Sequence, residues 1–195
     1  MTERSYHHGN LRAELLSRAG EVVDSEGVEA LSLRQIARDS GVSHGASARH
    51  FRDKQALLDA LAVEGFQRLN ASLADAVDSP GRFAERFRAA GHAYVGFAVA
   101  HPALLGVMYS AKHHPEASST LVEVSHQGMQ ALVALLQSGQ ASGDVAPGSA
   151  HEQALVAFAA IHGVATLATD DLLDGVPWQD AADATISFVW RGLSA

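Results

Sequence analysis

The sequence predicts an all-α chain of about nine helices, a small amino-terminal three-helix domain followed by a larger helical one. Three observations carry that expectation. The 195 residues are 47% hydrophobic and include only 5 Pro, with Ala and Leu abundant; such residues lose little freedom in a helix. Apolar residues recur three and four apart in one segment after another, and no alternating run argues for a strand. Between Leu33 and Lys54, two short helical patterns flank a glycine, the arrangement of a helix-turn-helix.

The elements follow in order. Leu11, Leu15, Ala19, Val22 and Val23 share one face of a helix expected over 10–24, with Asn10 as its cap and Gly27 as its stop. Two short helices are expected over 33–39 and 44–50. Ser32 is positioned to cap the first, and Ile36 and Ala37 supply its buried face. Gly41 permits the turn, Val42 closes the small core and Ser43 caps the second helix. Asp53 then opens a long helix carrying Leu57, Leu58, Leu61, Phe66, Leu69, Leu73 and Val77, which Ser79-Pro80-Gly81 ends. A helix over 82–100 holds Phe83, Phe87, Tyr94 and Phe97. A short one runs from His101-Pro102 through Met108, and Lys112-His113-His114-Pro115-Glu116 reads as a loop. Another long helix reaches Gln137, Ser138 to Ser149 reads as a flexible linker, and two helices over 150–169 and 178–193 close the chain. The expected division is a reading domain over 1–55 and a second domain over 56–195.

Composition narrows the chemistry. With no Cys, disulfides and thiolate catalysis are excluded. The net charge of -8 looks wrong for a nucleic-acid partner, but it is unevenly spread. Residues 1–60 hold 8 Lys+Arg against 9 Asp+Glu, and the other 135 hold 6 against 13. A near-neutral head needs only a local basic face. The start lacks an apolar signal core, and the apolar stretch Ala154 to Ala168 falls short of the roughly 20 residues of a membrane helix, so a cytoplasmic location is expected.

On the second short helix, His44, Gly45, Ser47 and Arg49, with His50 beside them, are the candidates for facing DNA. Arg can grip guanine through two hydrogen bonds, and small residues let a helix approach closely. Ser32, Arg34, Ser43 and Lys54 are cast as phosphate contacts, which orient the protein without reading sequence. Two other chemistries have a foothold. Gly41-Val42-Ser43-His44-Gly45 satisfies the G-x-S-x-G pattern of serine hydrolases, but that turn needs a strand before it, and Leu33 to Ser40 has helical spacing. The 11 His invite a metal, yet no pair sits three or four apart; His151-Glu152 starts like H-E-x-x-H, with Leu155 where the second ligand belongs. No catalytic residue, metal or cofactor is therefore expected.

The segment from Ser32 to Leu58 resembles the DNA-binding domain of the TetR family of repressors. The matching residues are Ser32-Leu33-Arg34, Ile36-Ala37, Gly41-Val42-Ser43, Arg49-His50-Phe51, Lys54 and Leu57-Leu58. Tyr6-His7-His8-Gly9-Asn10-Leu11-Arg12 is similar to the start of one subgroup of that family, and His101-Pro102 to a segment of its ligand domain. The resemblance implies a homodimer with two reading heads, a palindromic operator in double-stranded DNA, and a four-helix interface made by the last two helices of each protomer. It also implies release from DNA by a mostly apolar small molecule. Two positions depart from the pattern. Ser47 and Ala48 stand where the family places a bulky apolar residue and a phosphate-binding tyrosine, which implies weaker or altered operator binding. The alternative is a ligand-binding helical dimer that reads DNA weakly or not at all. Phe87, Tyr94, Met108, Met129, Phe158 and His162 are the candidates to line the effector site. Trp178, Ile186, Phe188, Val189 and Trp190, with Ala159, Ala160 and Gly163, are the candidates for the dimer seam.

Overall fold

A computed structural model describes residues 11–195. The predicted cap Asn10 and the motif residues Tyr6 to Asn10 lie outside that range. The described chain contains nine α-helices and no strand, and it falls into two compact units.

The amino-terminal unit comprises residues 11–65 and 103–122. Helix α1 (Leu11–Glu26) buries Leu15, Ala19, Val22 and Val23, the face its spacing predicts. Gly27 takes φ +83, a conformation a side chain would strain, and a 3-10 turn over Val28–Ala30 follows that the sequence did not suggest. Helix α2 (Leu33–Asp39) has the expected bounds and buries Ile36 and Ala37. Helix α3 (His44–Ala48) is two residues shorter than expected, because Phe51 turns inward to the core. Helix α4 (Lys54–Val77) starts in this unit and continues in the other. Its Asp53 cap is formed as predicted, the carboxylate accepting the Ala56 N–H at 2.7 Å.

The second unit comprises residues 66–102 and 123–195. Its core is a packed trio of α5 (Phe83–Ala100), α8 (Ala150–Thr169) and α9 (Trp178–Leu193); the buried face of α8 is rich in Ala, and α5 and α9 set larger side chains such as Phe87 and Ile186 against their neighbours. At Gly91 the helices come too close for a side chain: a Cβ there would stand 2.7 Å from Ile186. Burial of about a hundred Å² of apolar surface stabilises by about 2.5 kcal/mol, so seams of this kind carry the unit.

Two further boundaries differ from expectation. Helix α6 (Pro102–Lys112) runs past Met108 to Lys112, whose chain is partly buried and whose amine lies 4.8 Å from the centre of the Tyr109 ring. Burial holds the Lys112 amine below the usual lysine range. Helix α7 (Ser119–Ser142) runs through the first part of the expected linker. Gly139 is no flexible joint but a close approach, since a Cβ there would lie 2.5 Å from Val145 and 2.7 Å from Phe83. Gly143, at φ +80, ends the helix. The remaining residues are fastened: Ala146 N–H donates to Leu193 at 2.7 Å, and the Gln153 amide to the Ala146 carbonyl at 3.0 Å.

Among the described residues, α8 is long and apolar enough to cross a membrane by length and composition, and it begins one turn before the apolar stretch the sequence suggested. Its Ala154, Ala157, Ile161, Val164 and Ala165 are buried against the protein core.

Candidate nucleic-acid interface

The tight turn between α2 and α3 follows from its residues. Gly41 adopts φ +68, and the Val42 N–H donates to the Ala37 carbonyl at 2.9 Å. The Ser43 hydroxyl then accepts the Ala46 N–H at 3.2 Å, capping α3 as predicted. Ser32 holds the corresponding position before α2, but its side chain makes no capping bond.

The outer face of α3 and its end carry His44, Gly45, Ala48, Arg49 and His50, all exposed. Ser32, Arg34 and Ser43 are exposed as well, and Lys54 is half-buried at the first position of α4. Ser47 is a correction. Expected to face DNA, it is instead fully buried, and its hydroxyl donates to the His44 carbonyl at 2.9 Å. It lies four residues before buried Phe51, on the inward side of the turn, where helical spacing places packing residues. Periodicity could have found it; its polarity hid it. Gly45 differs from the glycines at close approaches. A Cβ there would meet nothing nearer than Ser43 Oγ at 3.9 Å, so the fold itself does not require glycine.

Internal pairing explains how a near-neutral segment can present a basic face. Arg18 pairs with Glu21 at 2.8 Å and with Asp39 at 3.1 Å. The Arg18 guanidinium is pushed up by these bonds, Glu21's first. The Asp39 carboxyl is held below the usual carboxylate range by the Gln35 amide first and then by Arg18. Arg52 pairs with Asp53 and Glu116, and Arg12 lies over the Phe51 ring at 5.3 Å. Among the described residues, Arg34, Arg49 and Lys54 have no such internal ion pair. Several acids are thus neutralised by cations within the unit, and among the cations left without an ion pair are Arg34 and Arg38 on α2 and Arg49 and Lys54 after α3.

In the second unit, three of the expected effector residues come together. The Tyr94 hydroxyl and His162 Nδ1 are 2.8 Å apart, Phe158 stacks on His162 with centroids 5.2 Å apart, and Tyr94 meets Phe158 edge-on at 5.9 Å. Phe87 joins Trp190 instead, at 5.9 Å. Met129 is half-buried on α7. Met108 belongs to the amino-terminal unit and is fully buried over Gly65, where a Cβ would stand 2.6 Å from its sulfur. The expected seam also divides. Ile186 is buried in the α5–α9 packing, and Trp190 stacks on Phe83 at 5.5 Å within the unit. Phe188 is 71% exposed, and Leu155, Val156 and Leu167 on α8, which sequence reasoning missed, are exposed too. Clusters of three or more His, Cys, Asp or Glu capable of holding a metal are absent among the described residues.

Comparison with known proteins bears on this geometry. The family model described as "Bacterial regulatory proteins, tetR family" matches residues 15–61, and "Tetracyclin repressor-like, C-terminal domain" matches residues 87–190. No curated protein matches the chain. Among solved structures, a protein with unknown function from Rhodococcus sp. RHA1 is 50% identical with a TM-score of 0.92, covering 99% of this chain and 100% of that one. A bacterial regulatory protein in the tetR family from Rhodococcus RHA1 is 21% identical, with a TM-score of 0.73 and coverage of 94% and 97%. The TetR family transcriptional regulator PfmR from Thermus thermophilus is 18% identical, with a TM-score of 0.72 and coverage of 93% and 99%. The last two likenesses concern the fold alone.

Proposed function

This chain belongs to the TetR family of bacterial regulatory proteins, a ligand-responsive DNA-binding transcription regulator, and we propose that it acts as a repressor. The supporting observation is α3: capped by Ser43, turned by Gly41, and carrying exposed His44, Gly45 and Arg49 beside cations without internal ion pairs. Arg49 and His44 reach base edges, and Gly45 lets the helix backbone approach. Ser32, Arg34, Ser43, His50 and Lys54 hold phosphates and set orientation. Residues 1–55 serve as the reading domain, residues 56–65 and 103–122 belong to the same compact unit, and residues 66–102 and 123–195 serve as the effector and dimer region.

Two protomers meet through the exposed apolar face of α8 and α9, centred on Phe188, Leu155 and Val156. Reading a palindrome requires their two heads to address half-sites about 34 Å apart, one turn of DNA. A mostly apolar small molecule enters near Tyr94, Phe158 and His162, which offer aromatic faces around one polar anchor. It favours a state in which the head spacing no longer fits the operator, so its affinity for the two states must differ. The protein acts in the cytoplasm, needs no cofactor and catalyses no reaction. Selection of duplexes from a random pool tests the DNA reading; enrichment of a palindrome is expected. Failure to enrich any sequence, with ligand stabilisation intact in a thermal-shift screen, favours the non-reading dimer instead. Ala48 is exposed, so Ala48→Tyr is accommodated and is expected to tighten operator binding through one phosphate bond, about tenfold or more.

A further inference from the structure

We propose that Asp59 and Ser118 form a clasp that sets DNA affinity, a positioning pair that itself touches no DNA. Asp59 lies on α4, in the second turn after Lys54. Its Oδ1 accepts the Ser118 N–H at 2.8 Å, and its Oδ2 accepts the Ser118 hydroxyl at 2.7 Å. The same hydroxyl oxygen accepts the Leu121 N–H at 3.1 Å, so Ser118 also caps α7. Ser43 and Ser149 cap α3 and α8 by accepting one N–H each. Ser118 does that and in addition donates twice to a carboxylate 59 residues away. A carboxylate beside a helix start is also favoured by the aligned peptide dipoles.

A second tie lies alongside. Arg52, the residue before the Asp53 cap, reaches Glu116 at 3.3 Å, and the Glu116 N–H donates to His114 Nδ1 at 3.2 Å. The turn over 113–118 is therefore fastened to residues 52 and 59, which bracket the start of α4. Lys54 and the first amides of α4 sit inside that bracket. Capping α7 requires Ser118 alone; the Asp59 side of the clasp fixes the start of α4. Phosphate contacts made from a fixed helix start lose less freedom on binding, which raises affinity without adding a contact. Because phosphate contacts carry no base information, the gain is the same on every sequence.

The clasp rests on the reading that α3 and the start of α4 meet DNA, and the experiment separates the two. Full-length Asp59→Asn, Ser118→Ala and Ser118→Thr are compared with wild type on a random-sequence duplex and on one selected from the same pool. Helix content is recorded by circular dichroism at the assay temperature. Asp59→Asn and Ser118→Ala are expected to weaken binding to both duplexes by a common factor of about ten, leaving selectivity unchanged. Ser118→Thr keeps the hydroxyl and is expected to bind as wild type does. Wild-type affinity in folded Asp59→Asn overturns the clasp, whatever happens to thermal stability; so does a loss confined to the selected duplex, which would make Asp59 part of base reading. Should Ser118→Ala lose helix content, Asp59→Asn decides, because it leaves the α7 cap in place. If wild type binds neither duplex, the DNA reading falls and the clasp falls with it.

Discussion

The helix-turn-helix and the start of α4, within the amino-terminal unit, take their shape from local devices: the Gly41 turn at φ +68, the Ser43 cap and the Asp53 cap. Each acts over a few residues and leaves a short-range mark in the sequence. The second unit relies on helix faces that meet across long separations, the Ala-rich face of α8 among them, with Gly91 beneath Ile186 and Gly139 beneath Phe83. Such packing leaves only periodicity, which says that a face is buried but not what covers it. The difference teaches where each unit is vulnerable: the first at single turn and cap residues, the second at whole faces.

The comparison can be broken most severely at the exposed face of the second unit. Phe188→Glu with Val156→Glu is expected to convert a dimer to a monomer, because each change is counted twice at a symmetric interface and loses about 2 kcal/mol or more per protomer. Sedimentation velocity reads the outcome; an unchanged dimer would place the seam elsewhere. Deleting α9 is a poorer test, since Ile186 is core and its loss would unfold the unit.

Next in size is Arg49→Ala, expected to cost about 1–3 kcal/mol of discrimination on a selected duplex. A uniform loss on all duplexes would recast Arg49 as a phosphate contact. Ser43→Ala should follow, lowering thermal stability by about 1 kcal/mol through the lost cap.

Gly45→Ala gives a smaller but more telling effect, because its two readouts move oppositely. Alanine fits the space and favours a helix by about 0.5–1 kcal/mol, so thermal stability should rise. Duplex affinity should fall if DNA occupies the space the missing side chain leaves. Unchanged affinity would mean that DNA does not approach there.

The same contrast explains what was legible. The bounds of α2, α8 and α9 were readable because capping or turn residues stand at their ends. Ser47 was misplaced because a serine can satisfy its own hydroxyl on a nearby carbonyl and so occupy a core position. That Met108 packs over Gly65 was not legible, because an apolar helix face does not declare what it joins. The residues 138–142 looked like linker because Gly139 carries no side chain, whereas the fold uses that absence for close packing. Tyr94, Phe158 and His162 were nameable as aromatics at helical spacing, but their convergence depends on the α5–α8 crossing.

The smallest expected effect concerns acid stability. Asp39 and Asp183 are both held below the usual carboxylate range, Asp39 by Gln35 first and Asp183 by its hydrogen bond to His92 first. A depressed folded-state pKa contributes stability that is present above the unfolded value and lost as pH falls through the folded one. Asp39→Asn should therefore flatten the acid limb of the amino-terminal unit's stability, and Asp183→Asn that of the second unit. Both groups lie near the surface, so the effects should be slight and reduced by salt. An unchanged acid limb in both variants would show these bonds to be dispensable.

The central claim is that α3 and the cations beside it meet a DNA duplex. Its most direct test is the salt dependence of binding to a selected duplex. With Arg34 and Lys54 of two protomers on phosphates, the logarithm of the binding constant should fall with the logarithm of salt concentration at a slope of about −3.6. Binding that ignores salt, or none at low salt, would contradict the account.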